Sequence, residues 1–196
     1  MMRSSKIDRQ TKETSIHLEL NLDGVGEAEV DTGIGFLDHM LEQMIVHGLL
    51  DLRLKAVGDL HVDYHHTVED CALALGMAIN AALGDKKGIV RMSSAHVPMD
   101  EALGFVAIDF SGRPYAVVEG NWKSSAVGGI STSLMDHFFE SLSAAARCNL
   151  HVRILYGRDD HHQAEALFKA LGRALDGATQ VDRRRSKIIP STKGVI

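Results

Sequence analysis

Polar and apolar residues alternate along residues 14–22, with Ile16, Leu18, Leu20 and Leu22 on one side, the pattern of a strand with one buried face. Residues 26–30 can return beside it across the Leu22-Asp23-Gly24 turn. The period then lengthens. Phe36, Leu37, Met40, Leu41, Met44 and Ile45 form a helical stripe over 36–47, with Gly48 placed to close it. Residues 49–57 are strand-like again, and 65–83 read as a second helix. The remainder repeats this alternation of periods. A strand pair at 104–110 and 115–119 precedes a helix near 133–147, a strand at 150–156 and a helix near 161–175. This predicts an α+β fold, with helices packed on mainly antiparallel sheets and two halves meeting helix face to helix face.

The chain is written twice. Phe36-Leu-Asp-His-Met-Leu-Glu resembles Leu134-Met-Asp-His-Phe-Phe-Glu, and His65-His-Thr-Val-Glu resembles His161-His-Gln-Ala-Glu. The offsets are 137 − 39 = 98 and 161 − 65 = 96, a two-residue difference that a loop absorbs. Ala82-Leu-Gly-Asp and Ala174-Leu-Asp-Gly end the corresponding helices. Two copies of a half-domain are therefore expected, at residues 1–90 and 91–196.

Composition narrows the class. The 196 residues are 45% hydrophobic and 24% charged, enough apolar content for a substantial core and little room for bulk disorder. A net charge of −5 argues against a nucleic-acid or membrane-surface binder. The first ten residues carry no apolar stretch of a secretory signal, and the apolar run 71–84 is too short to span a bilayer, so a soluble, cytoplasmic protein is expected. Cys71 and Cys148 lie in apolar runs and read as free buried thiols.

The eleven histidines matter for their positions. In each His-His-x-x-Glu motif the glutamate lies four and three residues after the two histidines, spacings that put side chains on adjacent helical turns. Imidazole and carboxylate so placed can share a divalent ion. Adjacent histidines diverge by about 100° around a helix, so those of each pair should serve different ions. His39, His65, His66, His137, His161 and His162, with Glu69 and Glu165, give two ions three nitrogens and one oxygen each. Such donors admit manganese, iron or zinc, and raw affinity favours zinc over manganese. An isolated His-His pair at a helix start is more simply a solvated cap; its recurrence at matched spacing in both halves favours ligation. His17, His61, His96 and His151 lack the pattern and read as structural.

Over nearly its full length the sequence resembles the imidazoleglycerol-phosphate dehydratases. The resemblance is carried by Arg9-Gln-Thr-Lys-Glu-Thr, Gly35-Phe-Leu-Asp-His-Met-Leu, Gly58-Asp-Leu-His-Val-Asp-Tyr-His-His-Thr-Val-Glu-Asp, Pro98-Met-Asp-Glu-Ala-Leu, Ser111-Gly-Arg-Pro-Tyr, Asp136-His-Phe-Phe-Glu, Leu155-Tyr-Gly, His161-His-Gln-Ala-Glu-Ala and Pro190-Ser-Thr-Lys-Gly. Met92, Ser93 and Asp159 depart from the family pattern, at positions outside the expected ligand set. With no Asp-x-Asp-x-Thr motif in the chain, the resemblance is to the monofunctional form.

The resemblance implies a duplicated fold like domain 2 of ribosomal protein S5, with helices sandwiched between two sheets. It implies an octahedral 24-mer whose sites, each with two Mn2+, are completed between subunits. The implied reaction is a hydro-lyase step of histidine biosynthesis. D-erythro-1-(imidazol-4-yl)glycerol 3-phosphate loses water to give imidazole acetol phosphate, through a metal-bound imidazolate and a diazafulvene. Glu13 is the implied general acid/base. Gln43 and His47 are implied substrate contacts, the role of His47 being left open. Arg91, Arg113, Ser191, Thr192 and Lys193 would hold the phosphate. The basic run Arg183, Arg184 and Arg185 reads as solvated or as an intersubunit contact. Two alternatives use the same ligands: a dinuclear metallohydrolase and a non-catalytic metal-storage assembly.

Overall fold

The computed structural model describes residues 3–196. The first half runs β1 (Ser4–Gln10), β2 (Thr14–Asn21), β3 (Ala28–Asp31), α1 (Gly35–Gly48), β4 (Asp51–Gly58) and α2 (His65–Leu83). The second runs β5 (Met92–Met99), β6 (Ala102–Asp109), β7 (Tyr115–Glu119), a minimal hairpin of β8 (Ala126–Val127) and β9 (Ile130–Ser131), α3 (Thr132–Ala146), β10 (Asn149–Tyr156) and α4 (Asp160–Thr179). Arg183–Arg185 form a 3-10 turn before the C-terminal tail.

Two four-stranded sheets carry the same topology, β1-β2-β4-β3 and β5-β6-β10-β7. In each, two pairings are antiparallel and the last, β4 with β3 or β10 with β7, is parallel. Helices α1 and α2 pack on the first sheet, α3 and α4 on the second, and the layers meet as α1 against α4 and α2 against α3. The duplicated α+β sandwich is thus the observed architecture.

Two strand pairings differ from expectation. Residues 26–30 do not return beside β2, whose flanks are taken by β1 and β4; β3 instead runs parallel to β4, with Ala28 opposite Leu52. The cause is local. The Asp51 carboxylate accepts the backbone N–H groups of Val25, Gly26 and Glu27 at 2.8, 3.2 and 3.1 Å, pinning this segment against the start of β4. Helix α1 then forms the crossover that a parallel pair requires. Likewise β7 runs parallel to β10 rather than pairing with β6, with Asn149 opposite Tyr115. The edge strand β1 escapes the hydrophobic pattern because its inner face, Ser5, Ile7 and Arg9, is weakly apolar. Ser5 donates to the Ala78 carbonyl at 2.8 Å, and Arg9 pairs with Asp70 at 2.5 Å, where apolar side chains would otherwise sit.

The core lies between the sheets. Phe138, Phe139 and Phe168 pack with centroids 5.1–5.6 Å apart among Leu18, Leu20, Met40 and Met44, all essentially inaccessible. Burying each such side chain stabilises the fold by about 1.5–3 kcal/mol. Cys71 and Cys148 are free and buried, and burial pushes the Cys148 thiol up to about 12.

Within each packed pair the helices run parallel and approach at glycine. A Cβ on Gly172 of α4 would lie 2.1 Å from the Met44 carbonyl oxygen, and one on Gly76 of α2 would lie 2.7 Å from that of Leu142. Gly48 therefore does not terminate α1 as expected: it is the last helical residue, facing Gly172, and the left-handed cap falls on Leu49 at φ 53°. Arg147 caps α3 in the same conformation, 98 residues on.

Candidate metal centre

Helix α2 opens at His65, so His65 and Glu69 stand one turn apart, with Nε2 of His65 3.6 Å from Glu69. His137 of α3 completes a group, its Nε2 3.4 Å from Glu69 and its ring stacked on that of His65. The second group mirrors the first. Asp159 caps α4 by accepting the N–H groups of His161 and His162, which fixes the doublet at the helix start. His161 Nε2 lies 3.1 Å from the buried Glu165, and His39 Nε2 of α1 lies 3.2 Å from the same oxygen. In each group the potential ligand atoms lie within 4.8 Å of one another. Three convergent donors of this chemistry fit a divalent ion.

Each group thus draws the His-x-x-x-Glu pair from one half and the Asp-His imidazole from the other. Helix packing at Gly172 and Gly76 brings them together. Burial alone would raise the Glu165 carboxyl; Lys169 at 2.6 Å and the His39 and His161 rings outweigh it and hold the group at about 2.

His66 and His162, the second members of the doublets, belong to neither group. The Nδ1 atom of His66 meets Asp59 at 3.0 Å, an interaction that raises the ring's pKa, and its Nε2 lies 3.7 Å from Glu13. For His162, Nδ1 meets Glu101 at 2.8 Å, again raising the ring's pKa. The His162 contact and the N–H groups of Asp159 and Arg158 hold the Glu101 carboxyl at about 2. A pocket of about 400 Å³ opens beside the first group, lined by Asp63, Tyr64, His65, Gly129, Ser131 and Leu134. A larger hollow of about 510 Å³ on the outer face of the first sheet contains no imidazole.

Gln43 and His47 follow His39 at successive turns of α1. Burial lowers the His47 pKa, and the Lys169 and Arg173 charges add to this. Arg91, Arg113 and the tail come together elsewhere. Arg91 pairs with both oxygens of Asp109 at 2.6 and 3.0 Å and donates to the Pro190 carbonyl at 2.8 Å. Arg113 donates weakly to the Ser111 carbonyl at 3.5 Å, and Ile196 packs at Gly112 between them. Ser191 accepts the Lys193 N–H at 3.2 Å, while Thr192 and Lys193 are exposed.

Three participants carried no role in the sequence reading: Lys169, Asp59 and Glu101. Lys169 is signalled by its i,i+4 spacing from Glu165. Asp59 and Glu101 approach their histidines only through tertiary structure, 7 and 61 residues away in sequence.

Fold and site together define a duplicated α+β protein with two imidazole-carboxylate centres suited to divalent metal. A profile of the imidazoleglycerol-phosphate dehydratase family matches residues 32–175. Proteins of that name from Roseiflexus sp. (strain RS-1) and Chloroflexus aurantiacus are 58% and 55% identical, over 99% and 100% of this chain and 98% and 95% of their own lengths. Crystal structures of the dehydratases from Pyrococcus furiosus and Staphylococcus aureus superpose with TM-scores of 0.84 and 0.82, at 37% and 33% identity. These cover 97% and 91% of this chain and 100% and 99% of theirs. The chain belongs to the imidazoleglycerol-phosphate dehydratase family, metal-dependent hydro-lyases of histidine biosynthesis.

Proposed function

We propose that this chain converts D-erythro-1-(imidazol-4-yl)glycerol 3-phosphate to imidazole acetol phosphate, in the cytoplasm, with two Mn2+ per active site. No helix among the described residues is long and apolar enough to cross a membrane. The observation carrying the reading is the pair of three-donor groups, one per helix pair, in a chain of this family. His65, Glu69 and His137 would hold one ion, and His39, His161 and Glu165 the other. When bound, the ions supply the Lewis acidity that an imidazolate and diazafulvene route needs. The halves 1–90 and 91–196 would each contribute to both centres.

The spacing of the groups supports an assembly with intersubunit sites, the 24-mer of the resemblance being its full form. Both groups lie near helix N-termini. Arg91 follows the far end of α2, and its N–H bonds to the Ala178 carbonyl near the far end of α4. Thirteen residues of α4 separate Glu165 from Ala178, about 20 Å at 1.5 Å per residue. A three-carbon phosphate chain cannot bridge that distance. For Arg91, Arg113, Ser191, Thr192 and Lys193 to hold the phosphate of a substrate whose ring lies at the ions, they must come from another copy. His66 and His162, outside the groups of their own chain, are then free to complete those of a neighbour.

Glu13, 3.7 Å from His66, is the carboxylate nearest that ring's Nε2 and takes the role of general acid/base. Gln43 and His47 would contact the substrate. The test is a dehydration assay on metal-free protein, restoring one cation at a time. Activity should return with Mn2+, and no dehydration with any divalent cation would refute the assignment. Glu13→Gln should abolish turnover while retaining both ions; normal turnover would remove it from the mechanism.

A further inference from the structure

We infer that Glu101 and Asp59 are positioning residues that fix the tautomer and orientation of His162 and His66, so that each presents Nε2 as a metal ligand. The inference rests on the reading above, in which these two imidazoles complete ion sites. Neither belongs to a three-donor group of its own chain, so neither is held by the convergence that orients His39, His65, His137 and His161. Each instead meets a carboxylate at Nδ1: His162 with Glu101 at 2.8 Å, and His66 with Asp59 at 3.0 and 3.2 Å. A carboxylate accepts only, so in the neutral ring Nδ1 carries the proton and Nε2 keeps its lone pair. Metal-binding histidines are commonly oriented in this way.

Glu101 is held through its carboxylate and Asp59 through its backbone. Glu101 accepts the N–H groups of Arg158 at 3.0 Å and Asp159 at 2.8 Å through Oε1, leaving Oε2 for the imidazole. Asp59 follows β4, and its N–H donates to the Glu13 carbonyl at 3.1 Å. Glu13 and Glu101 occupy corresponding places, immediately before β2 and β6. They have diverged in direction. Glu101 lies on the Nδ1 side of its histidine, whereas Glu13 lies toward Nε2 of His66 and leaves Nδ1 to Asp59. The second half has therefore used for orientation the position that in the first half lies toward the ligand side.

Glu101→Gln is the discriminating variant. Its carbonyl oxygen can still accept the two N–H groups, but its amide would donate to Nδ1 and transfer the ring proton to Nε2, which then cannot ligate. Manganese binding to metal-free protein, followed by calorimetry and by bound-metal stoichiometry, should weaken about 10–100-fold. His162→Ala should weaken it as well, and adding Glu101→Gln to His162→Ala should change nothing further, because Glu101 acts through that ring. Asp59→Asn should behave in the same way toward His66→Ala. Unchanged affinity in Glu101→Gln, or an equal further loss in the His162→Ala background, overturns the inference while leaving the ion sites standing. Unchanged affinity in His162→Ala itself removes His162 as a ligand, and the inference with it.

Discussion

Replacing Gly172 by alanine tests whether glycine contacts between the helices set the spacing of the metal centre. The added Cβ would lie 2.1 Å from the Met44 carbonyl oxygen and 3.0 Å from the Gly48 nitrogen, both backbone atoms with no rotamer to yield. Ordinary contact begins near 3.4 Å, so α1 and α4 must separate by about 3.4 − 2.1 = 1.3 Å at this point. Overpacking of this kind costs about 1–3 kcal/mol, and a clash with backbone belongs at the upper end. At about 2–4 °C per kcal/mol for a chain of this size, Tm of the metal-free protein should fall by about 6–12 °C. Glu165 lies seven residues up α4, about 10 Å from the pivot, where His39 of the opposing helix sits 3.2 Å from its carboxylate. Since ligand distances tolerate only about 0.2 Å, the ion between α1 and α4 should bind at least about tenfold more weakly. The ion between α2 and α3 should be spared. Differential scanning calorimetry and metal titration check both effects. A Tm within about 1 °C of the parent, with both ions bound normally, would refute glycine spacing as the determinant.

Further outcomes follow from the same geometry. Glu165→Gln should leave one ion per chain in place of two, measured by elemental analysis; two retained ions would exclude Glu165 as a ligand. In metal-free protein the Glu165 carboxyl is held at about 2 against an ordinary 4.5. Its pairing therefore stabilises fully above about pH 4.5 and is lost as pH falls toward 2, so the parent's advantage over Glu165→Gln in urea should shrink across that window. An advantage independent of pH would exclude the pairing. Deleting residues 191–196 should raise KM steeply with both ions retained, since the tail is remote from the ligands of its own chain; an unchanged KM would refute the phosphate role. Gln43→Ala should raise KM while Met77→Ala leaves it unaltered, in steady-state assays, and equal effects would contradict a substrate side on α1 and α4.

Much of this architecture is legible in the sequence, because hydrophobic period and motif repetition both report on local structure. Helix α2 begins and ends at the expected residues, and the donors of both groups lie in the repeated motifs. What failed is non-local. A strand's partner depends on which flank is free, and nothing in residues 26–30 announces that Asp51 will gather their N–H groups. Edge strand β1 fails for a related reason: the polar inner side chains Ser5 and Arg9 find tertiary partners and blur the alternation. Gly76 and Gly172 were visible, each eleven residues after the first histidine of its doublet. Their meaning needed the facing backbone, because a glycine in a helix reads only as a weakness until something is seen to approach it.

Duplication explains the pairing of the centres, and divergence shows which helix pair has been adapted further. Below the candidate ligands, α1 continues as Gln43 and His47, and α4 continues as Lys169 and Arg173 at the same helical spacing. The corresponding positions on α2 are Leu73 and Met77, and on α3 they are Ser141 and Ala145. The α2 and α3 pair therefore folds and converges its three donors without any cationic stripe. Lys169 pairs with Glu165 at 2.6 Å, but convergence of three donors does not by itself require the rest of the stripe on α1 and α4. Burial lowers the His47 pKa, and gathering Lys169 and Arg173 on the same seam opposes ionisation of that imidazole further. Beyond what the Lys169–Glu165 pair returns, a cost incurred in one copy and absent from the other is offset by something outside the fold. On the proposed reading that is the polar, phosphorylated substrate, approaching along α1 and α4, with the apolar flank of α2 and α3 left to packing.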